Sequence, residues 1–253
     1  MKRYLRYIIL LFSFTCYAHG QSVAEDFWFE PDRPGAGTGT GVVPFKKVML
    51  EVGEQFDISR RDVDVMLPEI QLRAGITRFA ELRFSVGGNA EHEGRWKFDI
   101  DPLVLGTKVR FSNGYKWLPE IALLAELAIP CTPQQAASMT VAPSLHLLFE
   151  NEVNSWFKID YDVGAEWDGR DMKPDVFISL STVFSFAKRW QAYLESYNYI
   201  TGYGKHFDGI PCLSAGLCCQ VHQRVQVDVY GCFNATDPDL YSNFGVGIAW
   251  LIN

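Results

Sequence analysis

Residues 242–253 read Ser-Asn-Phe-Gly-Val-Gly-Ile-Ala-Trp-Leu-Ile-Asn, and in them Phe244, Val246, Ile248, Trp250 and Ile252 alternate with Asn243, Gly245, Gly247, Ala249 and Leu251. Successive side chains of a β-strand point to opposite faces, so one face here is large and apolar and the other small or polar. A strand with lipid on one side and a crowded interior on the other has that composition.

The same period recurs upstream. Val48, Leu50, Val52 and Phe56 oppose Met49, Glu51, Gly53 and Gln55; Ile70, Leu72, Ala74 and Ile76 oppose Glu69, Gln71, Arg73 and Gly75; Ala80, Leu82, Phe84 and Val86 oppose Glu81, Arg83 and Ser85. Leu103, Leu105, Thr107, Val109 and Phe111 oppose Gly106, Lys108 and Arg110, and Asn113-Gly114 marks a hairpin turn before the strand from Glu120 to Ile129. Phe157, Ile159, Tyr161, Val163 and Ala165 oppose Lys158, Asp160, Asp162, Gly164 and Glu166, the cleanest alternation of all. Four further stretches, 175–187, 190–200, 210–220 and 224–233, are less regular but strand-like in composition. The pattern predicts an all-β, antiparallel transmembrane β-barrel of about twelve strands, of the outer-membrane type. A soluble sandwich also alternates. The polar faces here carry both signs of charge and glycine, as the inside of a small barrel requires.

At the other end of the chain, Lys2, Arg3 and Arg6 precede an apolar run from Tyr7 to Phe14, with small residues at Ala18 and Gly20. This predicts a signal peptide over residues 1–20. The run is too short for a spanning helix, and no later stretch reaches the roughly 18 apolar residues that one needs. An irregular N-terminal segment or plug follows over residues 21–45, and the barrel is expected over 46–253. Loss of the signal takes three positive charges and no acid, so the formal net charge of −7 becomes −10. That balance excludes a nucleic-acid partner. Cys131, Cys212, Cys218, Cys219 and Cys232 follow the signal, an odd number without metal-ligand spacing, and the sequence does not pair them.

Several stretches then match a known pattern. Asp32-Arg33-Pro34, Gly39-Thr40-Gly41 with Pro44, Leu50-Glu51-Val52-Gly53, Leu67-Pro68-Glu69, Arg73-Ala74-Gly75 and Glu81-Leu82-Arg83 follow one another in the first third of the chain beyond the signal. This run resembles the outer-membrane transporters grouped as the meta-pathway phenol degradation family. The resemblance implies an outer-membrane barrel that carries small solutes, aromatic or hydrophobic compounds among them.

Glu51, Glu69, Arg73, Glu81 and Arg83 share one parity face on three successive strands, and Lys108 and Arg110 continue that face on the next. They are expected to form a lumen charge network, since buried ions must be paired. Glu120, Glu126, Glu150, Asp160, Asp162 and Glu166 crowd the middle strands, where Lys158 is the one obvious partner. Such a lumen favours cations or hydrogen-bonding neutral solutes over anions. A calcium site among these acids lacks a matching loop motif. Ser144 and His146, two apart on one face, raise an alternative, a lipid-hydrolase-like barrel enzyme, though no third catalytic member is evident. A closed structural barrel is the other alternative.

The sequence thus predicts a non-enzymatic channel or transporter in the bacterial outer membrane. Its expected partners are membrane lipid and a small solute, and no cofactor or metal is implied.

Overall fold

The computed structural model describes residues 29–58, 63–92, 96–115, 117–201, 208–236 and 242–252; the predicted signal peptide lies outside them. The strands are β1 (Val48–Ile58), β2 (Val63–Gly75), β3 (Ala80–His92), β4 (Trp96–Ile100), β5 (Leu103–Tyr115), β6 (Leu118–Ile129), β7 (Ala142–Asn154), β8 (Phe157–Glu166), β9 (Asp175–Phe186), β10 (Trp190–Thr201), β11 (Asp208–His222), β12 (Val225–Asn234) and β13 (Ser242–Ile252). Each pairs antiparallel with its neighbours, and β13 returns to β1 with Leu50 opposite Trp250 and Val52 opposite Ile248. The sheet therefore closes into a barrel, with β13 covering the edge that β1 would otherwise leave open.

The thirteen segments fill twelve places. Gly88 to His92 of β3 pair with β4, and Ala80 to Ser85 of the same strand pair with β5, so β4 and β5 are one interrupted strand. The interruption falls at Asp101-Pro102, and proline cannot donate to a ladder. Asp101 N–H bridges the gap by donating to Gly87 O at 3.0 Å. Neither β4 nor the helix α1 (Pro133–Ser138) follows from the alternation. The helix starts on a reciprocal cap, in which Thr132 Oγ1 accepts from Gln135 N–H and Gln135 Oε1 accepts from Thr132 N–H.

Hydrophobicity is turned inside out. Leu82, Leu180 and Leu194 are each more than half exposed on the outer wall, while Arg73, Glu81 and Lys108 have no exposed surface on the inner one. An exposed belt of Leu, Val, Ile and Phe on every side is unstable in water and fits hydrocarbon. Trp117, Trp156, Trp190 and Trp250 stand exposed at one end of the barrel with Phe79 and Phe186, where an interfacial girdle belongs. That end carries the short turns at 76–79 and 187–189 and the end of β13. The opposite end carries the longer connections 130–141, with α1, and 167–174.

Candidate lumen site

Residues 29–45 form no strand, and they touch the wall almost all the way round: β1, β2 and β3 through Glu51, Arg73 and Glu81, β5 through Lys108, β6 through Glu120, β8 through Lys158, β10 through Glu195, β11 and β12 through Gln220 and Gln226. A single stretch meets that many strands only from inside. It enters at the short-turn end, where Phe29 and Val43 pack with Met49, Ala249 and Leu251. Its far reach is Arg33 to Thr38, about halfway along the strands.

Asp32 is the centre of the contact. Its Oδ1 lies 2.7 Å from Lys108 Nζ and 3.2 Å from Arg73 Nη1, and its Oδ2 is paired with Arg83 Nη1. Arg73 also binds Glu51 and Glu81 at 2.8 Å each, and Arg83 Nε binds Glu126 at 2.8 Å. The backbone of the segment completes the shell. Arg33 N–H donates to Glu51 and Val43 N–H to Glu81, while the carbonyls of Gly39 and Gly41 each accept from Lys108 Nζ at 3.0 Å. Three cations thus face Asp32, Glu51 and Glu81, with Glu126 at the margin, and each buried charge has a counter-charge. Burial alone raises the Asp32 carboxyl pKa. The charges of Arg73, Lys108 and Arg83 outweigh it and hold that carboxyl well below the ordinary carboxylate range.

The rest of the segment is held in the same way. Arg33 lies across Gly53 and Gly247, where any β-carbon would overlap its guanidinium, and reaches Val246 O at 3.3 Å, Asp228 at 3.5 Å and the ring of Tyr230. Beyond Pro34, Ala36 and Gly37 donate their N–H groups to the Glu195 carboxylate at 2.9 and 2.8 Å, and Ser181 Oγ joins at 3.0 Å. Thr40 Oγ1 donates to Glu120, which also faces Arg110 at 3.6 Å.

Of the residues picked out by parity, Glu51, Arg73, Glu81, Arg83, Lys108 and Glu126 come together. Glu69 stands apart, over Gly87 beside Asp101. Asp160 lies 3.9 Å from Lys158, which binds Glu150 at 3.0 Å, and Asp162 is bonded to His146 at 3.0 Å. Sequence reasoning missed His146 as a partner for the acids, and it missed Glu195, Asp228, Gln220 and Gln226. The last four sit on β10 to β12, where inward Cys, Ser and Tyr break the alternation and parity gave little signal; His146 was read on the inner face but only as a partner for Ser144. It also assigned the network to the wall alone, whereas its centre is Asp32. Among the described residues no three His, Cys, Asp or Glu side chains converge as a metal set.

The segment divides the lumen. A cavity of about 390 Å³, bordered by Gly37, Glu69, Glu126, His146, Glu166 and Tyr199, and another of about 280 Å³ by Glu54, Glu69 and Asp101, lie on the long-loop side. A smaller one of about 90 Å³ lies against Glu150, Asp160 and Gln191 on the short-turn side.

Solved structures share this architecture. An outer-membrane channel from Pseudomonas putida F1 superposes with a TM-score of 0.64 at 7% identity, covering 87% of this chain and 100% of that one. The NanC porin gives 0.56 at 8% identity and the KdgM porin 0.53 at 7%, each over 79% of this chain and 98% of the other. No family model and no curated protein matches the sequence. The likeness is one of fold: a closed, twelve-place, outer-membrane-type barrel.

Proposed function

We propose that the protein is a bacterial outer-membrane channel for small solutes, with residues 29–45 as its constriction. The observation that carries this reading is a closed barrel with an apolar belt outside and, inside, solvent cavities on both faces of a segment held by ion pairs and backbone hydrogen bonds. The short-turn end is then periplasmic and the long-loop end extracellular, as in outer-membrane barrels generally. Acids outnumber cations on the inner wall of β6 to β10, where Glu120, Glu126, Glu150, Asp160, Asp162, Glu166 and Glu195 stand against Lys158 and His146, which favours cations and hydrogen-bonding neutral solutes. The resemblance of residues 32–83 to the phenol degradation family adds aromatic compounds to the candidates, and Tyr199 on the larger cavity, tilted against Phe177 with ring centroids 4.9 Å apart, offers them a surface.

Planar-bilayer conductance and liposome swelling, with neutral, cationic and small aromatic solutes, test the proposal. Discrete conductance with solute-dependent swelling is expected from the intact protein, rising when residues 29–45 are removed. A folded barrel that passes nothing even without that segment would reject the channel.

A further inference from the structure

Cys212 on β11 and Cys232 on β12 stand on one face of adjacent strands. The register sets Cys212 opposite Asn234 and Ser214 opposite Cys232, so the two cysteines are diagonal neighbours, both on the inner wall and both buried. They belong to a single packed cluster with Phe177 and Tyr197, near the long-loop end. The Cys232 sulfur is 3.0 Å from Tyr197 Oη, and Cys212 packs beside it in the same cluster. No other two described cysteines are neighbours on one face: Cys218 faces inward opposite Asp228, Cys219 follows it on the other face, and Cys131 is exposed beside α1.

We infer that Cys212 and Cys232 form a disulfide in the mature protein. Passage through an oxidising compartment on the way to an outer membrane supplies the setting, and the oxidant is a disulfide-bearing oxidoreductase of that compartment. One protein thiol loses its proton and attacks the oxidant's disulfide, forming a mixed disulfide and releasing one oxidant sulfur. The second protein thiol then loses its proton and attacks the protein sulfur of that mixed disulfide, releasing the other. Two protein thiols become one disulfide, and the oxidant's disulfide becomes a dithiol that takes up the two protons. Both are free thiols in this structure, and closing the bond to about 2.05 Å between diagonal neighbours takes side-chain rotation together with a small drawing-in of the two strands. The bridge ties the β11–β12 hairpin beneath the aromatic surface of Phe177, Tyr197 and Tyr199. Once the barrel closes, both sulfurs are shielded from soluble reductant.

The test is a thiol inventory of the full-length exported protein. Free thiols are blocked with iodoacetamide in denaturant at the moment of cell lysis, before any air oxidation, and the protein is then analysed by mass spectrometry with and without reduction. The expected result is two fewer alkylations without reductant and a linked peptide pair containing Cys212 and Cys232. In Cys212→Ser, Cys232 should gain an alkyl group in unreduced protein. Equal alkylation before and after reduction overturns the inference, and so does a linked pair that includes Cys131, Cys218 or Cys219. The wild-type peptide map decides the matter by itself should the variant fail to assemble.

Discussion

Asp32 and Lys108 are joined through Oδ1 and Nζ at 2.7 Å, although 76 residues separate them and only Lys108 belongs to the barrel wall. The same carboxylate faces Arg73 and Arg83. A wall that carries three buried cations against Glu51 and Glu81 is therefore completed by the segment inside it. Asp32→Ala should leave a buried positive charge uncompensated, at a cost of about 3–5 kcal/mol. The segment then detaches, and single-channel conductance rises toward that of the protein lacking residues 29–45. An unchanged conductance together with an unchanged heat-dependent gel shift would show that the segment does not hang on Asp32.

The pH dependence of that anchor follows from its sign. The Asp32 carboxyl is held below the ordinary aspartate value of 3.8, chiefly because Arg73, Lys108 and Arg83 overcome the effect of burial. A depressed carboxylate stabilises the docked state fully above its unfolded pKa, and that contribution fades as pH falls through the lower folded value. Between pH 7 and about pH 4 the Asp32 carboxyl carbon should show no titration by NMR, with protonation confined to stronger acid. A midpoint at or above the ordinary aspartate value would contradict the geometry.

The barrel was legible because its pattern is simple: a two-residue period, read at residues 48–56, 69–87, 103–111, 157–166 and 242–252, sets both strand and face. The irregular β4 was not legible, since its five residues gain meaning only from pairing with β3 beyond the break at Asp101-Pro102. The charges of β1 to β5 could be placed on the inner wall from parity. Their real partner could not, because Asp32 lies in a stretch without periodicity, and its contacts span 51 and 76 residues. For the same reason Glu195, bonded to Ala36 and Gly37, gave no sign of itself: an anion capped by backbone N–H groups leaves no complementary charge in the sequence.

Glu69 borders both long-loop cavities and is not part of the Asp32 cluster. Glu69→Gln should therefore change selectivity without releasing the segment. At about 10 Å and an effective dielectric of about 40, one unit charge alters the energy of a passing ion by about 0.8 kcal/mol, roughly fourfold in permeability ratio. The reversal potential in a salt gradient should move toward anion preference. No movement would place the selective region elsewhere, on the acids of β6 to β8.

The enzymatic alternative is disfavoured by His146. Its Nδ1 lies 3.0 Å from Asp162 and its Nε2 3.3 Å from Glu166, so both ring nitrogens face carboxylates and neither is free to take a proton from Ser144. Phospholipid hydrolysis by the purified protein should be at background, and Ser144→Ala should leave it there. A wild-type rate above background that Ser144→Ala abolishes would restore the enzyme.

The outer belt can be tested by depth. Val246 sits mid-strand in β13 and faces outward, opposite Glu54 of β1 and Val229 of β12, whereas Ile252 is at the short-turn end of the same strand. If the belt lies in hydrocarbon, an arginine at mid-strand must drag its charge to the interface, while one at the strand end is already there. Val246→Arg should cost about 2–4 kcal/mol in bilayer refolding, and Ile252→Arg only about 0–1 kcal/mol. A soluble barrel would treat the two alike, because water would reach both, so equal and small penalties in urea titrations would remove the membrane from the account.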